Sequence, residues 1–147
     1  MDAVLLDTDV FSFLMKEGDT RAALYWPHVK GKTVALCFVT VGELYVWSIR
    51  RRWNPKRTAA FEQRLKAVVI VPYDLELCKT YGKLRASLLN KGLPIAANDL
   101  WIASCAVRHS IPLVTHNAKH FASIRGLKVI TEPHKLRLPA QAPTAKL

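Results

Sequence analysis

Short apolar runs alternate with helix-like segments along this chain, and the alternation restricts its fold more than any other feature. The strand-like runs cover residues 4–6, 34–38, 68–71, 112–114 and 129–130. Parallel strands need a crossover connection, usually a helix, and such helices pack on the faces of the sheet. The pattern therefore predicts an α/β fold in which a mostly parallel sheet lies between layers of helices.

Polar residues with capping side chains predict where the helices begin. They are Asp9, Asp19, Thr40, Asn54, Asp74, Asn98 and Asn117. Pro27 should end the second helix, because proline cannot donate the hydrogen bond that continues it. The helix ending at His109 is apolar on nearly all sides, so we expect it at the centre of the fold. A short last helix is predicted over residues 118–123.

The length and composition predict one folded domain. A chain of 147 residues, half of them hydrophobic, is long enough to bury a core without disulfides or a structural metal. We place the domain at residues 1–132 and expect residues 133–147, which are rich in Pro, Ala and Lys, to form a flexible tail.

Several features predict a soluble protein of the cytoplasm. The three cysteines are widely spaced and suggest neither a disulfide framework nor a zinc cluster, so a reduced interior explains them best. The N-terminus lacks the pattern of a signal peptide. The longest uncharged run, residues 33–42, is shorter than the ~20 residues of a membrane-spanning helix, so we expect no membrane partner.

The chain is strongly basic, with 22 Lys and Arg against 11 Asp and Glu and a formal net charge of +11. Charge alone favours a polyanionic partner, either nucleic acid or an anionic membrane surface, and of these two we expect nucleic acid. A basic protein with no such partner remains the alternative, because net charge carries little specificity.

Acidic or amide side chains follow the ends of three predicted strands. Asp7 comes directly after the first strand, Glu43 follows the second, and Asn117 follows the fourth. The carboxyl ends of parallel strands meet at one edge of a sheet, where open α/β sheets place their sites. Asp99 has no strand before it, but it lies in an apolar helix, where an unpaired charge is costly. We therefore expect one small acidic site.

Helix capping is the structural alternative for some of these residues. Glu43 lies three residues after Thr40, the spacing of a capping box, so a cap explains Glu43 about as well as catalysis does. Asp9 is predicted to cap the first helix. Asp7 then has no cap to make, and this favours a functional role for Asp7.

Four stretches around these residues resemble the acidic motifs of PIN-domain ribonucleases, in particular the VapC-type toxins of bacterial toxin–antitoxin pairs. They are Leu6-Asp7-Thr8-Asp9, Thr40-Val41-Gly42-Glu43-Leu44, Ala97-Asn98-Asp99-Leu100-Trp101-Ile102-Ala103 and Leu113-Val114-Thr115-His116-Asn117. The resemblance implies a three-layer α/β/α sandwich with about five strands. It also implies RNA cleavage that depends on Mg²⁺ or Mn²⁺, a cognate antitoxin as partner, and the homodimer that relatives commonly form.

The resemblance assigns roles position by position. The metal-site carboxylates would be Asp7, Glu43 and Asp99, with Asn117 in the fourth acidic place and Thr8 and Thr115 as supporting hydroxyl groups. Many family members have Asp in the fourth place, whereas the amide of Asn117 adds no charge. Carboxylate oxygens suit Mg²⁺, which binds one or two of them directly and keeps several waters. A bound divalent ion can activate water for attack on phosphorus, so no Ser, Cys or His nucleophile is needed.

Basic side chains near the predicted site are candidates for RNA contact. Arg50, Arg51 and Arg52 follow each other at the end of the helix that carries Glu43, and Lys119 follows Asn117. The alternative for the arginines is a solvated helix end, where cations complement the helix dipole. His116, His120 and Arg125 could line the other side of the site with Lys119, although lone surface residues such as these are expected to be solvated.

Two other functions remain open. Asp7-Thr8-Asp9 after a strand mimics the nucleophile motif of haloacid-dehalogenase-like phosphatases, although Phe11 occupies a place where that family has a small residue. A nucleic-acid-binding module without catalysis is the second. Phosphate transfer to Asp7 would identify the phosphatase, and loss of cleavage on chelation would separate an enzyme from a binding module.

Overall fold

A computed structural model describes residues 2–134 of the chain. In this part the elements are β1 Ala3–Leu6, α1 Thr8–Met15, α2 Thr20–Val29, β2 Thr33–Cys37, α3 Phe38–Arg50, α4 Pro55–Lys66, β3 Val69–Val71, α5 Leu75–Asn90, α6 Ala97–His109, β4 Leu113–Val114, a short 3₁₀ helix Ala118–Phe121, and β5 Val129–Ile130. The tail predicted over residues 133–147 lies outside the described residues from position 135 onward.

The five strands form one parallel sheet in the order β3-β2-β1-β4-β5. Leu6 at the end of β1 is level with Leu36 of β2 and Val114 of β4. Strands β2 and β3 lie on one side of β1, and the later strands β4 and β5 lie on its other side. The strand order therefore reverses at β1, and open α/β sheets bind ligands at such a switch point. The predicted α/β class with a parallel sheet is confirmed.

Two hydrophobic cores lie on opposite faces of the sheet, because side chains alternate along each strand. Leu5 packs into the core formed with α5 and α6, whereas Val4 and Leu6 pack into the core formed with α1, α2, α3 and α4. Six of the 13 residues of α6 are buried, which agrees with the central position predicted for this helix. The sheet is therefore sandwiched between two helical layers.

The second strand leads into its helix without the predicted capping box. β2 ends at Cys37 and α3 begins at Phe38, so Thr40 lies inside the first turn of the helix and does not cap it. Its hydroxyl group instead lies 3.1 Å from the hydroxyl group of Thr8. The capping alternative for Glu43 is therefore wrong, and Glu43 requires another explanation.

Two further boundaries differ from the sequence-based expectation. Pro27 lies inside α2, which continues to Val29. Val29 is 6% exposed and packs in the same core as Val4 and Leu6. This packing stabilises the last turn of α2, although Pro27 donates no backbone hydrogen bond. The helix predicted over residues 118–123 is a single 3₁₀ turn. No helix in residues 2–134 combines the length and apolar character needed to cross a membrane.

Candidate active site

Asp7 is held at the carboxyl end of the central strand by two hydrogen bonds. Its side chain is the N-cap of α1 and accepts from the backbone N–H of Thr8 at 2.8 Å. The hydroxyl group of Thr115, at the end of the neighbouring strand β4, donates to the second carboxylate oxygen at 2.7 Å. Asp7 is only 6% exposed, so the fold places a buried carboxylate at the switch point of the sheet.

Asp9 does not cap α1, and the role predicted for it is wrong. It lies in the first turn, where its carboxylate accepts from the backbone N–H of Val10 at 2.7 Å. It also accepts from the backbone N–H of His116 at 3.3 Å and from the side-chain amide of Asn117 at 2.9 Å. The Asp-x-Asp spacing could have indicated a site role for Asp9. Only one of the two carboxylates can cap α1, so the other is available for a different contact.

Glu43 joins the same edge of the sheet from α3. The hydroxyl group of Thr8 donates to its carboxylate at 3.0 Å. The side chain of Asn98 also forms a hydrogen bond with it. Asn98 was predicted as an N-cap, but Ala96 occupies that position of α6, and this leaves the Asn98 amide available to Glu43.

Asp99 enters from the first turn of α6 and borders the open side of the site. Nδ1 of His120 lies 3.3 Å from its carboxylate. A groove with a volume of about 570 Å³ opens beside it, and its lining includes Lys119 and His120. Lys119 and Asp99 therefore line the same groove.

Asn117 occupies the N-cap position of the 3₁₀ turn, yet its side chain makes no capping hydrogen bond. The amide donates to Asp9, and the backbone N–H of Asn117 donates to the hydroxyl oxygen of Thr115 at 3.0 Å. Thr115 in turn donates to Asp7. One chain of hydrogen bonds therefore connects Asp7, Thr115, Asn117 and Asp9.

Burial and mutual repulsion disfavour the charged forms of three of these carboxyl groups. Burial, followed by the charge of Asp9, raises the pKa of Asp7 from 3.8 to about 7. Burial is also the largest cause that raises the pKa of Asp9 and of Glu43, and the negative charge of Asp99 adds to it in both cases. Asp99 therefore interacts with all three carboxyl groups, and the four residues form one electrostatic cluster.

The carboxylates of the cluster form no ion pair with a lysine or arginine of the described residues. Among residues 2–134, His120 is the one titratable partner of Asp7, Asp9, Glu43 and Asp99. Buried carboxylates that lack a counter-ion favour uptake of a cation.

The donor atoms of the cluster fit a hard divalent cation. They are carboxylate, hydroxyl and amide oxygens, the ligands that Mg²⁺ and Mn²⁺ prefer. As the side chains stand, no three His, Cys, Asp or Glu residues within positions 2–134 converge on one metal position. Mg²⁺ usually takes only one or two carboxylates directly and retains several waters, so the other carboxylates can act through those waters.

His116 is not the solvated surface residue that the sequence suggests. It is 8% exposed, and its ring packs edge-on against the rings of Phe13 and Tyr25. Nδ1 of His116 lies 2.6 Å from the hydroxyl group of fully buried Tyr25. Burial lowers the pKa of His116, so the imidazole is a neutral structural group that supports the loop before Asn117.

The three arginines lie at the end of α3. Arg50 is the last helical residue, Arg51 is the C-cap with its guanidinium 4.6 Å from the ring centre of Trp47, and Arg52 adopts a positive φ of 49°. All three are exposed. Their contact with RNA remains a prediction.

Comparisons with known proteins agree with this geometry. A family model of the PIN domain matches residues 4–127. The chain is 34% identical over 133 residues to Ribonuclease VapC1 of Rickettsia felis, covering 90% of this chain and 98% of that protein. It is 30% identical over 128 residues to Ribonuclease VapC1 of Haemophilus influenzae strain R2866, covering 84% and 93%. The fold is similar to VapBC2 from Rickettsia felis bound to a DNA fragment from its promoter, with TM-score 0.77, 26% identity and coverage of 88% and 98%.

Proposed function

The chain belongs to the PIN domain family, and we propose that it is an endoribonuclease that acts as the toxin of a toxin–antitoxin pair. The observation that carries this proposal is the cluster of Asp7, Asp9, Glu43 and Asp99 at the switch point of the sheet, in a chain that resembles VapC ribonucleases along most of its length. The nuclease domain is proposed to span residues 1–132.

We propose Mg²⁺ or Mn²⁺ as the cofactor. Asp7, Glu43 and Asp99 would hold it, with Asn117 at the fourth place of the family pattern. A divalent ion bound there supplies Lewis-acid chemistry, because it lowers the pKa of a water molecule and offsets charge on the phosphate.

The protein's own residues keep the carboxylates in place. The backbone N–H of Thr8 and the hydroxyl group of Thr115 hold Asp7, while the hydroxyl group of Thr8 and the amide of Asn98 hold Glu43. Because these donors come from strand ends and helix starts, the fold itself orients the carboxylates. Burial raises the pKa of Asp7 to about 7, and a bound cation would favour its ionised form.

The RNA substrate requires positive charge around this acidic cluster. The net charge of +11 attracts the phosphate backbone, although the cluster itself repels phosphate. Arg50, Arg51 and Arg52 on one side and Lys119 in the groove are the proposed contacts. A cognate antitoxin is the proposed protein partner, and a homodimer is a further proposal based on the same family.

The match to the PIN domain over residues 4–127 disfavours a haloacid-dehalogenase-like phosphatase. Asp7 of such an enzyme would have to be an accessible nucleophile, whereas here Asp7 is 6% exposed and caps α1. A nucleic-acid-binding module without catalysis is the other alternative, and an assay of RNA cleavage distinguishes it from an enzyme.

The test is cleavage of a labelled RNA by the purified protein. Activity should disappear with EDTA, return with excess Mn²⁺, and fall by at least about 100-fold in Asp99→Asn. Asp74→Asn is the matched control, since Asp74 is the N-cap of α5 and Asn caps a helix about as well. Metal-independent cleavage, or equal rates for Asp99→Asn and wild type, would contradict the proposal.

A further inference from the structure

The carboxylate of Asp9 is a hydrogen-bond acceptor that joins the first turn of α1 to the loop at residues 116–117. Three N–H groups donate to it, from the backbone of Val10 and His116 and from the side chain of Asn117. Helix capping does not account for it, because Asp7 already occupies the N-cap of α1. No Lys or Arg within residues 2–134 forms an ion pair with Asp9. Within the described part of the chain, this half-buried carboxylate at the edge of the site is therefore held by N–H donors and not by an ion pair.

The hydrogen bond between Asn117 and Asp9 places the carboxylate of Asp9 beside the fourth acidic position of the site. The family pattern puts an acidic residue at position 117, but here the amide is at 117 and the carboxylate at 9, 2.9 Å away. An amide at 117 can donate a hydrogen bond to the carboxylate of Asp9, which a second carboxylate at this distance could not do while both were charged.

Hydrogen bonds tie Asp9 to the carboxylate of Asp7. Asp7 accepts from Thr115 at 2.7 Å, Thr115 accepts from the backbone of Asn117 at 3.0 Å, and Asn117 donates to Asp9. Because β1 and β4 are neighbouring strands, these links lie across adjacent carboxyl ends of the sheet. Asp9 and Asp7 therefore belong to one rigid unit of the site.

We propose that Asp9 supplies the fourth carboxylate of the cation site, and that Asn117 is a positioning residue that holds Asp9 rather than the fourth metal-site group itself. This inference rests on the proposed metal-dependent activity. It changes the assignment of the fourth acidic place from residue 117 to residue 9.

The two assignments predict different results for neutralising Asp9. If the amide of Asn117 fills the fourth place, Asp9→Asn removes only a neighbouring hydrogen-bond acceptor. If Asp9 fills that place, Asp9→Asn removes a charge that attracts the cation, whether through a direct bond or through a coordinated water. The exchanged double variant Asp9→Asn/Asn117→Asp restores both the charge and the hydrogen bond, with donor and acceptor reversed.

The experiment is a titration of the purified full chain with Mn²⁺ by isothermal calorimetry, without RNA. We expect Asp9→Asn to weaken Mn²⁺ binding by about tenfold or more, and the exchanged double variant to recover most of the wild-type affinity. Asn117→Ala leaves the carboxylate of Asp9 in place but removes the amide that donates to it. This variant should therefore weaken Mn²⁺ binding less than Asp9→Asn does. Asp74→Asn is the matched control, and thermal melts without metal show that each variant is folded.

Wild-type Mn²⁺ affinity in Asp9→Asn, or an exchanged double variant as weak as Asp9→Asn, overturns this assignment while leaving the proposed nuclease intact. Failure of the wild-type protein to bind Mn²⁺ or to cleave RNA overturns the proposed function, and this inference with it. The two failures are therefore distinguishable in one set of measurements.

Discussion

Asp7→Asn should stabilise the metal-free protein at neutral pH, although it removes a proposed catalytic group. Asp7 is buried beside other carboxyl groups, and these surroundings raise its pKa from 3.8 to about 7. The folded state therefore disfavours the ionised form that the unfolded chain readily adopts. Asn fits the same space, can accept from the backbone N–H of Thr8, and carries no charge to desolvate.

The size of the expected stabilisation follows from the pH dependence of the free energy of unfolding. Between pH 3.8 and about 7 the folded protein binds a proton that the unfolded chain has lost, so wild-type stability falls as the pH rises through this window. At 1.36 kcal/mol per pKa unit, the full penalty above the window is about 4 kcal/mol. Loss of the hydrogen bond between the Thr115 hydroxyl group and a carboxylate offsets about 1–2 kcal/mol of this. A net gain of about 2–3 kcal/mol corresponds to a rise of about 5–10 °C in melting temperature.

The assay is thermal unfolding by circular dichroism of wild type and Asp7→Asn in EDTA, from about pH 4 to 8. The two melting temperatures should lie close together at the acidic end and separate as the pH rises. Adding Mn²⁺ should raise the melting temperature of wild type more than that of the variant, because the variant has lost a metal-site charge. Asp74→Asn should melt near wild type at the alkaline end. An Asp7→Asn protein that melts at or below wild type there would refute the argument from burial.

Three further predictions follow from other parts of the structure. Replacing Arg50, Arg51 and Arg52 together by Ala should weaken binding of single-stranded RNA and reduce the salt slope by about 2, measured by fluorescence anisotropy in Mg²⁺-free buffer; an unchanged slope would leave these residues as a solvated helix end. Tyr25→Phe should lower stability by about 1–3 kcal/mol in denaturant unfolding, because a buried imidazole nitrogen loses its partner; no loss would show that water replaces the hydroxyl group. Asp99→Asn should weaken binding of a cognate antitoxin that inserts a basic side chain among the carboxylates of the cluster, and equal calorimetric affinities for wild type and variant would contradict this competitive arrangement.

Much of the fold follows from local patterns in the sequence. The apolar runs predict the strands, and the capping signals at Asp19, Asn54 and Asp74 predict helix starts that the structure contains. These signals succeed because a capping side chain bonds to backbone groups within three residues of itself, which needs no distant partner. Asp7 and Asn117 are likewise found at strand ends because a parallel sheet brings such positions to one edge.

Which aspartate caps the first helix was decided by tertiary structure. Asp7 and Asp9 both suit a cap, and the choice depends on where β1 ends, which is set by the pairing of Leu6 with the neighbouring strands. The same pairing brings Asn117 to Asp9, 108 residues away in sequence. A local sequence pattern cannot predict a contact between residues so far apart in the chain.

The sequence by itself therefore determined the class of fold, the edge of the sheet that holds the site, and most of the acidic residues there, because periodicity and capping act over a few residues. The tertiary structure alone decided that Asp9 faces the site, that His116 is buried against Tyr25, and that Asn117 donates to a carboxylate. Each of these depends on contacts between residues about 90 to 108 positions apart. Such contacts exist only after the strands have paired, since strand pairing is what brings distant chain segments within hydrogen-bonding distance.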